Sequence, residues 1–112
     1  MSSYVTCACS NVRSVRNKIT EIAHLIEILQ IDIFAIVESW LSELDSDNIL
    51  ATTNCNLIRR DRGTRGGGLL LLLNKNILFK NIYKHPTLEI MATEIIIHKK
   101  SIRLIVVYIQ YT

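Results

Sequence analysis

The feature that most constrains the fold is an amphipathic segment followed at once by a short, wholly apolar one. Between Val15 and Gln30 the apolar residues recur every three or four positions, and this spacing predicts a helix. Ile33–Val37 is apolar at every position, which is typical of a strand buried on both faces of an α/β sheet. Since Tyr4–Ser10 is also β-prone, we expect a β-α-β opening whose two strands lie side by side and parallel.

The rest of the chain is predicted to be a series of short strands. Leu69–Leu73 and Ile77–Tyr83, separated by Asn74-Lys75-Asn76, are expected to form a hairpin. The other predicted strands are Asn56–Arg60, Leu88–His98 and Ile102–Tyr108. This order predicts an α/β fold in which one mixed sheet carries a single covering helix, over one unit spanning 1–112. One helix covers one face of such a sheet, so the other face would be apolar and bare.

Composition excludes several classes of protein. At 49% hydrophobic residues the 112-residue chain is not intrinsically disordered. No apolar run approaches the ~20 residues of a membrane span, so we expect no membrane association. Three cysteines without C-x-x-C spacing argue against a disulfide framework and a structural zinc site, which favours a reducing compartment, nuclear or cytoplasmic. The net charge of +3 permits an anionic partner without requiring one.

Glu38 and Asn11 are candidate site residues because each directly follows a predicted strand. The ends of neighbouring parallel strands meet at one sheet edge, where α/β proteins commonly bind ligands. A carboxylate there suits a hard cation such as Mg²⁺, and an adjacent amide can orient a phosphate. The alternatives are an ordinary solvated acid for Glu38 and a turn residue for Asn11, and position alone favours those alternatives.

The segment Arg59–Gly68 is the most unusual stretch, with four arginines and four glycines in ten residues. Arginine forks bind phosphate oxygens in a bidentate manner, and glycines let a backbone approach another group closely. The segment matches neither a P-loop nor a dinucleotide-binding fingerprint. A solvated connection in which Asp61 pairs with a neighbouring arginine is an equally good interpretation.

Four segments in this order resemble the endonuclease/exonuclease/phosphatase superfamily. They are SNVRSVRNKITEI, DIFAIVESWL, RRDRGTRGGG and LIVVYI. The resemblance is closest to the apurinic-endonuclease-like domain of jockey-type non-LTR retrotransposons. It implies a four-layer α/β sandwich and Mg²⁺-dependent hydrolysis of a DNA phosphodiester, with Mn²⁺ as a possible substitute for Mg²⁺.

The resemblance also implies roles for individual residues. Glu38 would be the principal metal ligand, while Asn11 and Tyr108 would contact the phosphate as members of the catalytic site. Glu89 matches an acid that commonly begins its strand. The further residues expected to bind nucleic-acid phosphates are Arg13, Arg60, Arg62 and Arg65.

The resemblance extends over the N-terminal half of the superfamily's domain. The later motifs, which carry the water-activating aspartate, its partner asparagine and the catalytic histidine, are absent. We therefore expect a partial sandwich whose second sheet is missing, and a polypeptide inactive by itself that pairs with the remaining half of the domain and with a reverse transcriptase. The alternatives are a non-catalytic nucleic-acid-binding module, and an interaction domain that docks a partner on its bare sheet face.

Overall fold

The strands of the protein form two separate sheets. The computed structural model describes residues 4–63 and 66–110. Its elements in chain order are β1 (Cys7–Asn11), α1 (Ile19–Leu29), β2 (Ile33–Val37), a 3-10 helix (Asp47–Thr53), β3 (Cys55–Arg60), β4 (Leu69–Asn74), β5 (Leu78–Lys84), β6 (Ile90–Ile97) and β7 (Lys100–Val107). The first sheet has the order β1-β2-β4-β3 and the second the order β5-β6-β7. Strands β1 and β2 are parallel and all other pairs are antiparallel.

The α/β class, the partial sandwich and the parallel β-α-β opening are therefore confirmed. The more detailed prediction, one mixed sheet with its second sheet missing, is wrong, because β5, β6 and β7 form a sheet of their own. The predicted hairpin between Leu69–Leu73 and Ile77–Tyr83 is wrong for a related reason. Strand β4 is hydrogen-bonded to β2 on one edge and to β3 on the other, which leaves no edge for β5. Strand β5 pairs with β6 instead.

Five consecutive leucines make β4 the centre of the protein. Alternate side chains of a strand point to opposite faces, and Leu69–Leu73 is buried along its whole length. Leu69, Leu71 and Leu73 pack between the two sheets. Leu70 and Leu72 face α1 on the other side. The three-stranded sheet thus covers the face that the sequence predicted to be bare.

Helix α1 begins later than its periodicity predicts. The apolar spacing predicts a helix from Val15, but the helix starts at Ile19. The amides of Ser14 and Val15 donate instead to the carbonyl oxygens of Glu38 and Ser39, at 2.8 and 3.1 Å. Val15, although periodic with the helix, is fully buried beside the end of β2. No helix of residues 4–63 and 66–110 is long and apolar enough to cross a membrane.

Candidate active site

The candidate site lies where β1 and β2 end. Asn11, the last residue of β1, is paired in register with Val37, the last residue of β2, so Glu38 follows directly at the same edge. Glu38 and Trp40 have left-handed backbone conformations, with φ of 58° and 57°. Such conformations are costly for residues other than glycine and persist only where neighbours hold them.

Neighbouring segments hold this corner on both sides. On one side the Ser14 amide donates to the Glu38 carbonyl oxygen. On the other, the amides of Ser39 and Trp40 donate to the carbonyl oxygens of Gly68 and Gly67, at 3.2 and 2.8 Å. Backbone hydrogen bonds therefore hold the corner from both sides.

Gly67 and Gly68 have positive φ angles, and a side chain lies close to each of them. A Cβ at Gly67 would lie 2.1–2.6 Å from guanidinium atoms of Arg62. A Cβ at Gly68 would lie 2.5 Å from the Oγ of Ser39. The prediction that these glycines permit a close approach is thus explained: what approaches them is Arg62 and the corner after β2.

The carboxylate of Glu38 is held by three donors. Its Oε1 accepts from the Tyr108 hydroxyl at 3.0 Å, and its Oε2 accepts from the Trp40 indole at 2.5 Å and from the Gly67 amide at 3.4 Å. The indole hydrogen bond is the main cause that keeps the pKa of Glu38 below its ordinary value, although partial burial opposes it. The same carboxylate raises the pKa of Tyr108 by accepting its hydroxyl proton in a hydrogen bond. Glu38 is accordingly a carboxylate at neutral pH, and its two oxygens have fixed orientations.

Glu89 is the second carboxylate of the site. It accepts from the Gly68 amide at 2.6 Å and from Arg62 at 2.7 Å. Consecutive amides of the glycine segment therefore bind Glu38 and Glu89. The amide of Tyr108 also donates to the Glu89 carbonyl oxygen at 3.0 Å, which joins the ends of β6 and β7 to the site.

A divalent cation needs oxygen ligands, and the carboxylates of the site are the candidates to supply them. Among residues 4–63 and 66–110, no three His, Cys, Asp or Glu side chains are grouped to hold a metal ion. Mg²⁺, however, is typically bound by one or two carboxylates, and water and phosphate oxygens complete its shell. Glu38 fits that role, since its oxygens are charged, fixed and only half-buried. Glu89 is engaged by Arg62, which reduces its capacity to bind a cation.

The predicted phosphate-binding residues have different positions. Asn11 and Arg13 are exposed beside the corner. Arg62 is part of the site through Glu89 and also donates to the Gln110 side chain at 3.0 Å. Arg60 forms no hydrogen bond with Glu38 or Glu89 among the described residues, and its Nε donates to the His85 carbonyl oxygen at 2.9 Å. Arg65 lies outside the described residues.

Arg59 has a structural role. Its guanidinium donates to Asp61 at 2.7 and 3.1 Å, to Asp47, and to the carbonyl oxygens of Ser42 and Asp45. It therefore fixes the loop before the 3-10 helix. The alternative in which Asp61 pairs with a neighbouring arginine is correct for Arg59.

Trp40 is the functional residue that the sequence reasoning missed. It is the only tryptophan of the chain, it lies two residues after Glu38, and 40% of its surface is exposed. An indole with one polar atom commonly finds a hydrogen-bond partner. The proximity of Trp40 to a candidate carboxylate was the available signal, but the left-handed turn that makes the contact was not predictable from spacing.

The fold can be compared with those of known proteins. No family model and no curated protein sequence matches the chain. Among solved structures, an AP endonuclease from Archaeoglobus fulgidus matches with a TM-score of 0.66 and 12% identity, over 89% of this chain and 40% of that one. Truncated Caenorhabditis elegans TDP2 matches with a TM-score of 0.62 and 14% identity, over 96% and 46%. The 3′ phosphatase NExo from Neisseria, bound to a product DNA hairpin, matches with a TM-score of 0.63 and 16% identity, over 93% and 40%.

These structural matches show which fold the chain has and how much of each solved structure it covers. The chain spans less than half the length of each of these structures, while nearly all of the chain is matched. At 12–16% identity the likeness concerns architecture alone. The protein has part of the endonuclease/exonuclease/phosphatase-like fold.

Proposed function

We propose that this chain is the N-terminal part of a Mg²⁺-dependent DNA endonuclease domain of the kind found in non-LTR retrotransposons. The observation that carries the proposal is the Glu38 carboxylate, held at the end of β2 by Trp40, Tyr108 and Gly67. A fixed, ionised carboxylate at this position of this fold is suited to hold a hard cation beside a phosphate. The four sequence motifs, in the same order as in jockey-type elements, support the retrotransposon origin.

The site is suited to one part of phosphodiester hydrolysis, the binding of a metal cation. Glu38 would hold the cation, and a cation bound there would neutralise charge on the phosphate and on the leaving oxygen. Tyr108 and Asn11, which lie at the same end of the sheets as Glu38, would contact the phosphate. Arg13 adds positive charge that attracts a DNA backbone, and a neighbour of the same fold carries a DNA product.

No histidine of the described residues forms a hydrogen bond with Glu38, Glu89 or Tyr108. His85 uses its Nδ1 to accept the amide hydrogens of Thr87 and Leu88, a role within its own turn. His24 lies on α1 and His98 in the turn between β6 and β7. Without a positioned general base or acid the rate of hydrolysis falls by about 10²–10⁴. We therefore propose that the polypeptide alone does not cut DNA, and that the remainder of the domain, followed by a reverse transcriptase, completes it. Such a domain would work where DNA and reduced thiols coexist, in the nucleus or the cytoplasm.

Manganese provides a direct test on the chain itself. Mn²⁺ broadens NMR signals close to its binding site, and the Trp40 indole N–H reports on the Glu38 carboxylate. We expect micromolar-to-millimolar Mn²⁺ to broaden that signal first and excess Mg²⁺ to restore it. Glu38→Gln should abolish the effect. The matched control, Glu43→Gln, removes an exposed carboxylate in the following loop and should leave it intact. Unselective broadening, or the same broadening in Glu38→Gln, would refute the metal assignment.

A non-catalytic nucleic-acid-binding module is the second candidate. The engagement of Glu89 by Arg62 favours it, because Glu38 is then the one carboxylate of the site without an ion-pair partner among the described residues. DNA affinity that falls steeply with salt, and that is unchanged by chelation and by Glu38→Gln, would support this alternative. Affinity that rises with Mg²⁺ and depends on Glu38 would support the endonuclease proposal. In either case we expect neither the parent chain nor Glu38→Gln to nick supercoiled plasmid by itself.

A further inference from the structure

Lys18 occupies a position where a lysine is locally unfavourable. It is the N-cap residue of α1, and its side chain makes no capping hydrogen bond. The residue types preferred there are Ser, Thr, Asp and Asn, whose side-chain oxygens accept amide hydrogens of the first turn. A cation at this end also opposes the helix dipole, whose positive end is the N-terminus. The stability of α1 therefore does not explain Lys18.

The ammonium group of Lys18 binds three consecutive backbone carbonyl oxygens instead. Its Nζ donates to the carbonyl oxygen of Val12, to that of Arg13 at 3.1 Å and to that of Ser14 at 3.4 Å. An ammonium has three N–H donors, and the number of acceptors matches. Hydrogen bonds from a charged donor are stronger than those between neutral groups. Lys18 thus closes the chain between β1 and α1 into a tight loop around its own side chain.

The backbone of this loop is strained at the same residues. Arg13 and Ser14 have left-handed conformations, with φ of 49° and 84°. Such conformations in residues other than glycine persist only where the surroundings impose them. In an extended, pleated strand, successive carbonyl oxygens would point to alternate sides and could not all reach one ammonium. The left-handed pair and the contacts of Lys18 therefore belong to one arrangement.

Two peptide groups of the loop connect Lys18 to the corner after β2. The carbonyl of Arg13 and the amide of Ser14 are opposite ends of one planar trans peptide group. The carbonyl oxygen accepts from Lys18, and the amide donates to the Glu38 carbonyl oxygen at 2.8 Å. The next peptide group connects Lys18 to the Ser39 carbonyl oxygen in the same way, with an amide hydrogen bond of 3.1 Å. An ammonium that fixes the planes of both groups also fixes the donors that hold the backbone of Glu38.

We propose that Lys18 is a positioning residue of the candidate site, and that it sets the place of the Glu38 carboxylate through the loop between β1 and α1. The inference rests on the proposed function, which gives the position of Glu38 its importance. A displacement of about 1 Å at a reacting centre can lower a rate about 100-fold. A residue that touches neither substrate nor metal can therefore still determine how tightly Glu38 holds a cation.

Lys18→Met tests the proposal on the whole chain without metal, because it keeps most of the side-chain length and removes the three donors. The Ser14 amide hydrogen should exchange with solvent about tenfold faster, a loss of about 1.4 kcal/mol in local protection. The NMR signal of the Trp40 indole N–H, which donates to Glu38, should move toward its position in the urea-unfolded chain. Lys18→Arg retains a charged donor group and should return both readouts toward the parent.

Two controls separate positioning from a general loss of stability. Lys80→Met removes an exposed lysine of β5, in the other sheet, and should leave both readouts unchanged. Leu71→Ala removes a side chain that packs between the sheets, so it should destabilise the protein and leave the indole signal in place. If Lys18→Met does not fold, Lys18→Ser replaces it, because serine is a preferred N-cap residue.

Faster exchange at Ser14 with an unmoved indole signal would overturn the proposal, since Lys18 would then stabilise only its own loop. Unchanged exchange at Ser14 would overturn it as well.

The Mn²⁺ titration extends the test to the cation. Half-maximal broadening of the indole signal should need about tenfold more Mn²⁺ in Lys18→Met than in the parent, a difference of about 1.4 kcal/mol. Equal Mn²⁺ affinity in the two proteins would overturn the role of Lys18. Absence of selective broadening in the parent would refute the metal assignment at Glu38, and the metal-free readouts would then decide whether Lys18 positions the carboxylate.

Discussion

Gly68→Ala tests whether the contact between the glycine segment and the corner after β2 holds the candidate site together. Gly68 has φ of 95°, and a Cβ there would lie 2.5 Å from the Oγ of Ser39. The left-handed conformation alone costs an alanine about 1–2 kcal/mol. Ser39 is fully buried and cannot move aside freely, so overpacking adds about 1–3 kcal/mol. The sum is about 2–5 kcal/mol, a large part of the ordinary stability of a domain.

Gly63→Ala is the control that isolates the contact. Gly63 has a comparable φ of 83°, and a Cβ there meets nothing within 4 Å. It should therefore lose only the backbone share, about 1–2 kcal/mol. The excess loss in Gly68→Ala measures the contact with Ser39, and the Ser39→Ala background should remove most of that excess.

Urea unfolding followed by circular dichroism provides the free energies. With a slope of about 1–3 kcal/mol per molar urea, the two glycine variants should have clearly separate midpoints. Losses that are equal within about 0.5 kcal/mol would refute the packing argument, because backbone strain would then explain both. A Gly68→Ala protein as stable as the parent would refute the placement of the glycine segment against Ser39.

Three further outcomes are expected. Ser39→Ala should stabilise the protein by about 1 kcal/mol in the same assay, because the buried Oγ has no hydrogen-bond partner among the described residues; destabilisation would indicate a partner. Leu71→Ala should cost about 2–5 kcal/mol by leaving a cavity between the sheets, against less than about 0.5 kcal/mol for the exposed Leu44→Ala. Trp40→Phe should raise the pKa of Glu38, followed by carboxyl NMR, because the largest cause of its lowering is lost. A lowered folded-state pKa contributes stability above the unfolded value of about 4.3, which is lost as pH falls through the folded value. Trp40→Phe should therefore lose less stability than the parent between pH 7 and pH 3, and an equal loss would contradict the role of the indole.

The sequence was informative wherever one local pattern decided the structure. The apolar run of Ile33–Val37 predicted β2 with its observed bounds, and the parallel pairing with β1 followed from the helix between them. The division into two sheets was not predictable in this way. Leu69–Leu73 would be buried in either arrangement, and only the partners on its two edges distinguish them. Sequence neighbours usually pair, so Ile77–Tyr83 was assigned to the wrong sheet.

The sequence named candidate residues for the site but not the contacts between them. Glu38 became a candidate because it follows a buried strand, a position that by itself favoured an ordinary solvated acid. Its hydrogen bond with Tyr108 joins residues that are 70 positions apart in the chain and that follow strands of different sheets. Its hydrogen bond with Trp40 depends on two left-handed residues, which no periodicity encodes. Arg59 and Arg60 are the same type of residue. Their environments differ because alternate residues of β3 face opposite sides of the sheet.

The distribution of backbone strain supports a functional role for the end of β1 and β2. Nine residues other than glycine have positive φ within the described chain, and five of them have ordinary explanations. Gln30 and Asn54 end helices, Asn81 lies in a bulge of β5, and His98 and Lys99 form the two-residue turn between β6 and β7. The remaining four are Arg13, Ser14, Glu38 and Trp40, which lie together at one edge of one sheet. Each costs about 1–3 kcal/mol unless its surroundings impose it. A short turn of ordinary residues could connect these elements with less strain. The conformation that is kept instead is the one that brings the Trp40 indole and the Gly67 amide to the carboxylate of Glu38.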